Sequence, residues 1–221
     1  MPARNAVKIY FEGGYYHLYN RGVDKGDIFS EEQDYRVFIS YLGEYLSPPV
    51  PPTEDEIKKG GRIYIRKNYF QKIELLAFVL MPNHFHLMLK QHESRAIEGF
   101  MRSLNTRYSG YFNKYHQRTG HLLQSVYKGV IVESEEQFLW LSRYIHRNPL
   151  ERTDKGEGLA AYPYSSYQTY LGITPLKWIN SKDVLGDTKD YRGFVENAVD
   201  TGSSENVASP DGPLLTTYSL D

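Results

Sequence analysis

The chain has 221 residues, no cysteine, and 26 Lys and Arg against 27 Asp and Glu. The absence of cysteine excludes disulfides, thiolate-bound zinc and cysteine nucleophiles, and no apolar run approaches the roughly 20 residues of a membrane span. The N-terminal segment also lacks the apolar core of a signal peptide. We therefore expect one soluble, cytoplasmic domain with appended segments.

The first part of the chain predicts a strand, a helix and an insertion. Tyr15–Tyr19 is a short β-prone segment that ends at an Asn-Arg-Gly turn. Ser30 and Gln33 have the spacing of a capping box, and aromatic and apolar residues follow at helical spacing to about Ser47. The proline-rich run that comes next ends the helix, so we interpret residues 48–72 as an insertion.

A β-hairpin is the strongest feature of the next segment. Residues 73–80 form a near-continuous apolar run, which is typical of a strand buried on both faces. After a turn at 81–83, residues 84–90 alternate with a period of two. One face of this second strand therefore carries both His84 and His86, while the opposite face carries only apolar residues.

Two further helices and one further strand follow the hairpin. Apolar residues recur every three or four positions over 95–116, which predicts a long amphipathic helix. The β-branched segment 125–133 predicts a fourth strand, and Ser134 with Gln137 predicts the capped start of a helix that ends before Pro149.

The order of these elements, β-α-β-β-α-β-α, predicts an α+β fold of the ferredoxin-like split βαβ type. Such a fold has an antiparallel sheet with helices on one face, here followed by a final helix. We interpret residues 1–150 as the main domain and 151–200 as an extension packed on it, with a small helix near 191–199. Residues 201–221 are rich in Gly, Ser and acidic residues and are expected to be a disordered tail.

Two pairs of residues could carry chemistry. His84 and His86 share one face of a strand and are close enough to bind one divalent cation; the alternative is two half-buried histidines on a solvent-facing strand. Tyr144 and Asn148 lie one turn apart on the last helix, where the phenol could be a nucleophile and the amide oxygen a third metal ligand. The alternative is that Tyr144 packs beside an apolar stripe and that Asn148 caps the helix.

Basic residues are concentrated in a stretch without acidic residues. Residues 99–132 contain no Asp or Glu, so their cations could contact DNA phosphates, as could His17 on the first strand. The alternatives are a solvated helix face for the cations and, for His17, burial or support of a metal ligand. The cationic candidates are Arg102, Arg107, Lys114, Arg118 and Lys128.

Several segments resemble one known family. MPNHFHLML resembles the HUH motif (His, hydrophobic residue, His) of single-tyrosine HUH transposases, and RYIHRNPL resembles the catalytic helix of their REP-associated tyrosine transposase branch. YHLYNRG near the start follows the same family's pattern, and the resemblance covers roughly residues 10–200. It implies that His84 and His86 are metal ligands, Tyr144 the nucleophile and Asn148 the third ligand.

The resemblance also implies an activity and its requirements. A member of this family would cleave and rejoin single-stranded DNA beside imperfect hairpins through a 5′-phosphotyrosine intermediate, with Mg²⁺ or Mn²⁺ as cofactor. It would act in the cytoplasm at the nucleoid, as a monomer or a homodimer. Two alternatives stay open: a domesticated hairpin-binding protein that no longer cleaves DNA, and a metal-dependent hydrolase that uses water.

Overall fold

The computed structural model describes residues 10–51, 67–151, 158–186, 188 and 190–197 of the chain. Most of the predicted insertion, the start of the predicted extension and the whole predicted tail at 201–221 lie outside the described residues. None of the helices in the described part is long and apolar enough to cross a membrane.

Four antiparallel strands form one sheet, and its two central strands are the first and the third along the chain. The order across the sheet is β2-β3-β1-β4. The hairpin predicted for residues 73–90 is confirmed, because β2 and β3 pair in register around the turn at 82–83. The strands are β1 (Tyr15–Arg21), β2 (Ile73–Met81), β3 (His84–Gln91) and β4 (Lys128–Val132).

Helices cover both faces of the sheet. On one face lie α1 (Glu32–Leu46) and α2 (Ala96–Tyr115), and Phe38 of α1 contacts both Phe85 of β3 and Tyr108 of α2. On the opposite face lies α3 (Glu135–Arg147), where Phe138 packs edge-on against Tyr15 of β1. The α+β, ferredoxin-like prediction is therefore confirmed, and the final helix occupies the face that the first two leave open.

Part of the segment 158–197 follows the outer edge of β2. The backbone amide of Ser166 donates to the carbonyl of Phe78, and the amide of Asn180 donates to the carbonyl of Leu75. These bonds occupy backbone groups of an edge strand that could otherwise pair with another chain. The segment contains α4 (Tyr167–Tyr170), α5 (Lys182–Leu185) and α6 (Tyr191–Glu196), and single 3₁₀ turns lie at Val23–Lys25, Asn148–Glu151 and Leu159–Ala161.

The capping boxes predicted for two helices can be compared with the structure. Ser134 caps α3 as predicted, because its hydroxyl oxygen accepts the backbone amide three residues further on at 3.1 Å. The box predicted at Ser30 and Gln33 is wrong, because the carboxylate of Asp34 instead accepts the backbone amides of Ser30 and Glu31. A carboxylate in the first turn also interacts favourably with the positive end of the helix dipole.

Two predicted ends also differ from the structure. The strand predicted from residue 125 begins at Lys128, because the preceding residues bond to the end of β1 instead: the amide of Gln124 donates to the carbonyl of Arg21. The small helix predicted near 191–199 ends at Glu196.

Candidate active site

The predicted site residues come together where β3 faces α3. His84 and His86 project from β3, and Tyr144 and Asn148 lie one turn apart on and just after α3. Nε2 of His84 is 3.2 Å from Oδ1 of Asn148. The rings of His86 and Tyr144 meet edge to face, with centroids 5.3 Å apart. The strand pair and the helix pair therefore form a single cluster.

Asn83 fixes the proton position on His84. Its Nδ2 atom donates to the carbonyl of Lys25 at 3.2 Å, which leaves its Oδ1 facing Nδ1 of His84 at 2.7 Å. Because a carbonyl oxygen can only accept, Nδ1 of His84 carries the proton and Nε2 has a lone pair. That lone pair faces the amide oxygen of Asn148. Two electron-pair donors thus converge on one point, as they do around a bound cation.

His17, on the neighbouring strand β1, holds His86 in place. Nε2 of His17 and Nδ1 of His86 are 2.8 Å apart, and both side chains are buried. Nε2 of His86 is also buried and has no hydrogen-bond partner among the residues that the structure describes. When His86 donates its Nδ1 proton to Nε2 of His17, Nε2 of His86 is unprotonated and keeps its lone pair. A metal-ligating histidine has this arrangement, with its second nitrogen bonded to a supporting group.

Burial keeps both of these imidazoles neutral. Desolvation lowers the pKa of His86 well below its ordinary value, and the neighbouring His17 and His84 lower it further. Desolvation lowers the pKa of His17 to about 3. Because the neutral imidazole is the form that binds metals, His86 would need to lose no proton near pH 7 in order to bind a cation.

Tyr144 is part of an aromatic wall. Trp140, one turn earlier in α3, stacks on its ring with the centroids 5.2 Å apart and an angle of 12° between the planes. Tyr19, the cross-strand partner of His86, is buried, and its hydroxyl has no hydrogen-bond partner in the described part of the chain. Burial raises the pKa of Tyr19, and the nearby Tyr144 raises it further. Tyr19 therefore stays a neutral phenol beside Tyr144.

A buried network fixes α3 relative to the sheet. Nε2 of His146 is 2.7 Å from Oγ of Ser166, and its Nδ1 is 2.8 Å from the hydroxyl of Tyr191. Oγ of Ser166 also accepts the backbone amide of Phe78 in β2. Desolvation lowers the pKa of His146 to about 3. Because His146 lies between the two site residues along the helix, this network sets how α3 presents them to β3.

The possible metal ligands are two imidazoles and one amide. Across the described ranges, no three His, Cys, Asp or Glu side chains are grouped closely enough to hold a metal ion. A cation at this position would therefore be held by His84, His86 and the amide oxygen of Asn148. The buried Nε2 of His86, which has no other described partner, fits that role.

The predicted DNA contacts lie on several surfaces rather than on one. Lys128 lies over the ring of Tyr19 with Nζ 5.7 Å from the centroid, on the same side of the sheet as the site. Arg107 instead faces α1, where it donates to Glu44 at 2.8 Å. Arg102 lines a groove between α2 and the segment that precedes β4.

The remaining predicted contacts differ in exposure. Lys114 is exposed near the end of α2, and Arg118 lies just beyond that end, with its guanidinium 5.6 Å from the ring centroid of Phe112. His17 is buried and bonded to His86. A direct contact between His17 and DNA is therefore not supported, whereas its role as a support for a metal ligand is consistent with the structure.

Tyr19, Asn83 and Trp140 border the site but were not predicted from the sequence. The period-two pattern of β1 places Tyr19 on the same face as His17, and Trp140 lies one turn before Tyr144, so spacing could have identified both. The bond between His17 and its partner on β3 could not be found this way, because it depends on the register of two strands far apart in the sequence.

Comparisons with known proteins agree with the fold. Residues 54–148, which include all four central site residues, match the family described as "Transposase IS200 like". The chain is similar to the solved structure of a REP-associated tyrosine transposase bound to a REP hairpin, with a TM-score of 0.51 and 13% identity over 80% of this chain and 92% of that one. At this identity the likeness shows the fold.

A second solved structure, of a protein assigned as a transposase from Deinococcus radiodurans R1, is similar with a TM-score of 0.37 and 17% identity, over 65% of this chain and 97% of that one. No curated protein matches the chain.

Proposed function

We propose that the chain, of which residues 54–148 match the family of IS200-like transposases, is a metal-dependent enzyme of that family that nicks and rejoins single-stranded DNA. The observation that carries this proposal is the convergence of His84, His86, Asn148 and Tyr144 around one point. The proposed partner is a DNA hairpin with a single-stranded flank, which is consistent with the REP hairpin bound to the structurally similar transposase.

His84, His86 and Asn148 are the proposed ligands of Mg²⁺ or Mn²⁺. Nitrogen and oxygen donors together suit Mn²⁺, and the amide and phosphate oxygens suit Mg²⁺. When bound, the cation would neutralise charge on the scissile phosphate and polarise its phosphorus–oxygen bonds. Asn83 and His17 contact Nδ1 of the two imidazoles, and an imidazole that donates through Nδ1 has an unprotonated Nε2 with which to bind a cation.

Tyr144 is the proposed nucleophile. Its hydroxyl oxygen attacks phosphorus while the bond from phosphorus to the 3′ oxygen breaks; the phenol gives up its proton, and the leaving 3′ oxygen gains one. The products are a 5′-phosphotyrosine and a free 3′-OH. Because the ester bond is conserved, a 3′-OH can reverse the step without ATP. Stacking on Trp140 restricts the ring of Tyr144, which reduces the entropy lost on reaching the attack geometry.

A covalent-adduct assay tests the proposal. The full chain is incubated with a labelled single-stranded hairpin oligonucleotide and Mn²⁺, and the products are separated on a denaturing protein gel. We expect a labelled protein band that disappears with a chelator and in Tyr144→Phe. Tyr115→Phe is the matched control, because Tyr115 is exposed near the end of α2 and remote from the site; it should form the band normally.

Other results would indicate another function. Cleavage of the oligonucleotide without an adduct would support a metal-dependent hydrolase that uses water. Binding without cleavage under any of these conditions would support a domesticated hairpin-binding protein. All four central side chains come from a single chain, so we propose that a monomer can assemble the complete site.

A further inference from the structure

A groove lies on the opposite side of β1 from α3, between α2 and residues 120–127. Its volume is about 840 Å³, within the range of sites that enclose a small ligand. We call it the α2 groove. Its wall is partly apolar, with buried Met101, Leu122 and Tyr127. Its polar lining includes Arg102, Asn105, Ser109, His121 and Gln124.

Two polar side chains of the α2 groove lack hydrogen-bond partners within the part of the chain that the structure describes. Arg102 is exposed and makes no hydrogen bond or ion pair there, in contrast to Arg107, which is bonded to Glu44. Oδ1 of Asn105 is buried without a hydrogen-bond partner. An unsatisfied buried carbonyl is unfavourable, so a ligand that donates to this amide would remove that penalty.

Arg102 and Asn105 are three residues apart on α2 and therefore point to the same side of the helix. The last torsion of an asparagine side chain is broad, so a small rotation of Asn105 can turn its oxygen toward the groove. A cation and an amide about one helical turn apart can contact the phosphate and the base of a single nucleotide.

Backbone hydrogen bonds link the wall of the α2 groove to the end of β1 that lies beside the candidate active site. The backbone amide of Val23 donates to the carbonyl of Leu122 at 3.1 Å, and the amide of Gln124 donates to the carbonyl of Arg21 at 2.9 Å. Arg21 is in turn the cross-strand partner of His84. The wall of the groove is therefore paired with the same strand end that lies beside the proposed metal ligand, and a DNA strand would have to pass around this end to contact both places.

We propose that the α2 groove binds one nucleotide of the single strand that flanks the cleavage position, with Arg102 contacting its phosphate and Asn105 contacting its base edge. The apolar wall packs against the base. Adenine is the best-matched base, since its N6 donor and N7 acceptor complement the two ends of an amide. This inference rests on the proposed DNA-nicking function but concerns a different surface of the molecule.

Equilibrium binding tests the base contact. Hairpin oligonucleotides carry a single abasic site at successive positions of the flank, and fluorescence anisotropy gives their Kd for the full chain. One position should lose about tenfold in affinity when it becomes abasic. Asn105→Ala should weaken binding of the intact oligonucleotide by a similar factor and make that position insensitive to base removal, because the two changes delete the same contact.

The salt dependence tests the phosphate contact. Arg102→Ala should reduce the slope of log affinity against log salt by about 0.7, the value for one phosphate on a single strand. Arg36→Ala is the matched control, because Arg36 is exposed on α1 and pairs with Glu32 away from the groove; its slope should equal that of the wild type. Thermal unfolding checks that each variant is folded.

The outcomes separate this inference from the proposed function. The proposed role of the α2 groove would be overturned if Asn105→Ala and Arg102→Ala both kept the wild-type affinity, salt slope and dependence on the abasic position. If the Tyr144 adduct still forms in that case, the proposed function stands without it. A wild-type chain that binds none of the oligonucleotides would overturn both.

Discussion

Two side chains hold the proposed catalytic groups in position without reacting themselves. His17 bonds to His86 and thereby orients one proposed metal ligand, and Trp140 stacks on Tyr144 and restricts the proposed nucleophile. His17 and Trp140 thus contact, in space, two residues that the sequence motifs identify. At the residue scale, the geometry of the site therefore depends on neighbours that the motifs do not include.

We expect His17→Phe to weaken metal binding by about 10- to 100-fold, the usual effect of losing a partner of a metal-bound histidine. Phenylalanine keeps a ring of similar size but removes the hydrogen bond, which leaves Nδ1 of His86 buried without its partner. Isothermal titration calorimetry with Mn²⁺ in the absence of DNA measures the effect. His92→Phe is the control, because His92 pairs with Glu74 at the surface. Equal affinity in both variants would contradict the role given to His17.

Trp140→Ala should slow adduct formation by about 3- to 10-fold, which corresponds to the 0.5–1.5 kcal/mol of a stacked aromatic pair. Trp140→Phe should be less impaired, because it retains an aromatic face for Tyr144. Single-turnover rates of adduct formation at saturating DNA provide the measurement. Trp178→Phe controls for general effects, since Trp178 stacks on Phe78 instead. A Trp140→Ala rate equal to the wild type would show that stacking does not position Tyr144.

At the scale of elements, α3 carries the proposed nucleophile and is fixed from behind by His146. Its two partners, Ser166 and Tyr191, come from the segment that follows the edge of β2. The C-terminal extension therefore does more than cover an edge strand, because it also sets the position of the helix that carries the proposed nucleophile.

His146→Ala should lower the free energy of unfolding by about 2–4 kcal/mol, since it removes a buried ring and leaves the hydroxyl of Tyr191 without one of its partners. Urea unfolding followed by circular dichroism measures the change. Glu136→Ala, at an exposed position on the same helix, should stay within about 0.5 kcal/mol of the wild type. A loss for His146→Ala no larger than that of Glu136→Ala would mean that the network contributes little to stability.

The sequence was sufficient to predict the order of the elements and to group the candidate site residues into two pairs, because both predictions follow from local spacing. Period two placed His84 and His86 on one face, and a four-residue interval placed Tyr144 and Asn148 on one side of a helix. Contacts between distant segments could not be predicted in this way. Arg107, predicted to contact DNA, instead pairs with Glu44, because the packing of α2 on α1 determines which side of the helix is free.

At the scale of the whole molecule, buried imidazoles make stability depend on pH. The pKa values of His17 and His146 are lowered to about 3, and the pKa of His86 is also lowered. In the unfolded chain these groups titrate near 6.5. As the pH falls below that value, the unfolded state takes up protons that the folded state does not, so stability is lost between about pH 6.5 and 3 and is fully present above 6.5.

We therefore expect these groups to lower the free energy of unfolding by only about 1 kcal/mol from pH 7.5 to 6.5 and to lower it more steeply below that range. Each buried imidazole contributes about 1.4 kcal/mol per pH unit well below 6.5. Urea unfolding in the presence of a chelator, between pH 7.5 and 5, measures the slope. His146→Phe should reduce the slope of the free energy of unfolding against pH by the contribution of one imidazole. A free energy that does not change down to pH 5 would contradict the burial of neutral histidines.

Mapping the DNA attachment residue tests the convergence of the metal ligands and the nucleophile most directly. The adduct formed with Mn²⁺ is digested with nuclease and protease, and tandem mass spectrometry locates the residue that retains a 5′-phosphonucleotide. We predict a modification at Tyr144 alone, and none when His86→Ala or a chelator is used. Attachment to another tyrosine, such as Tyr19, or efficient strand cleavage with no modified residue would contradict the proposed site.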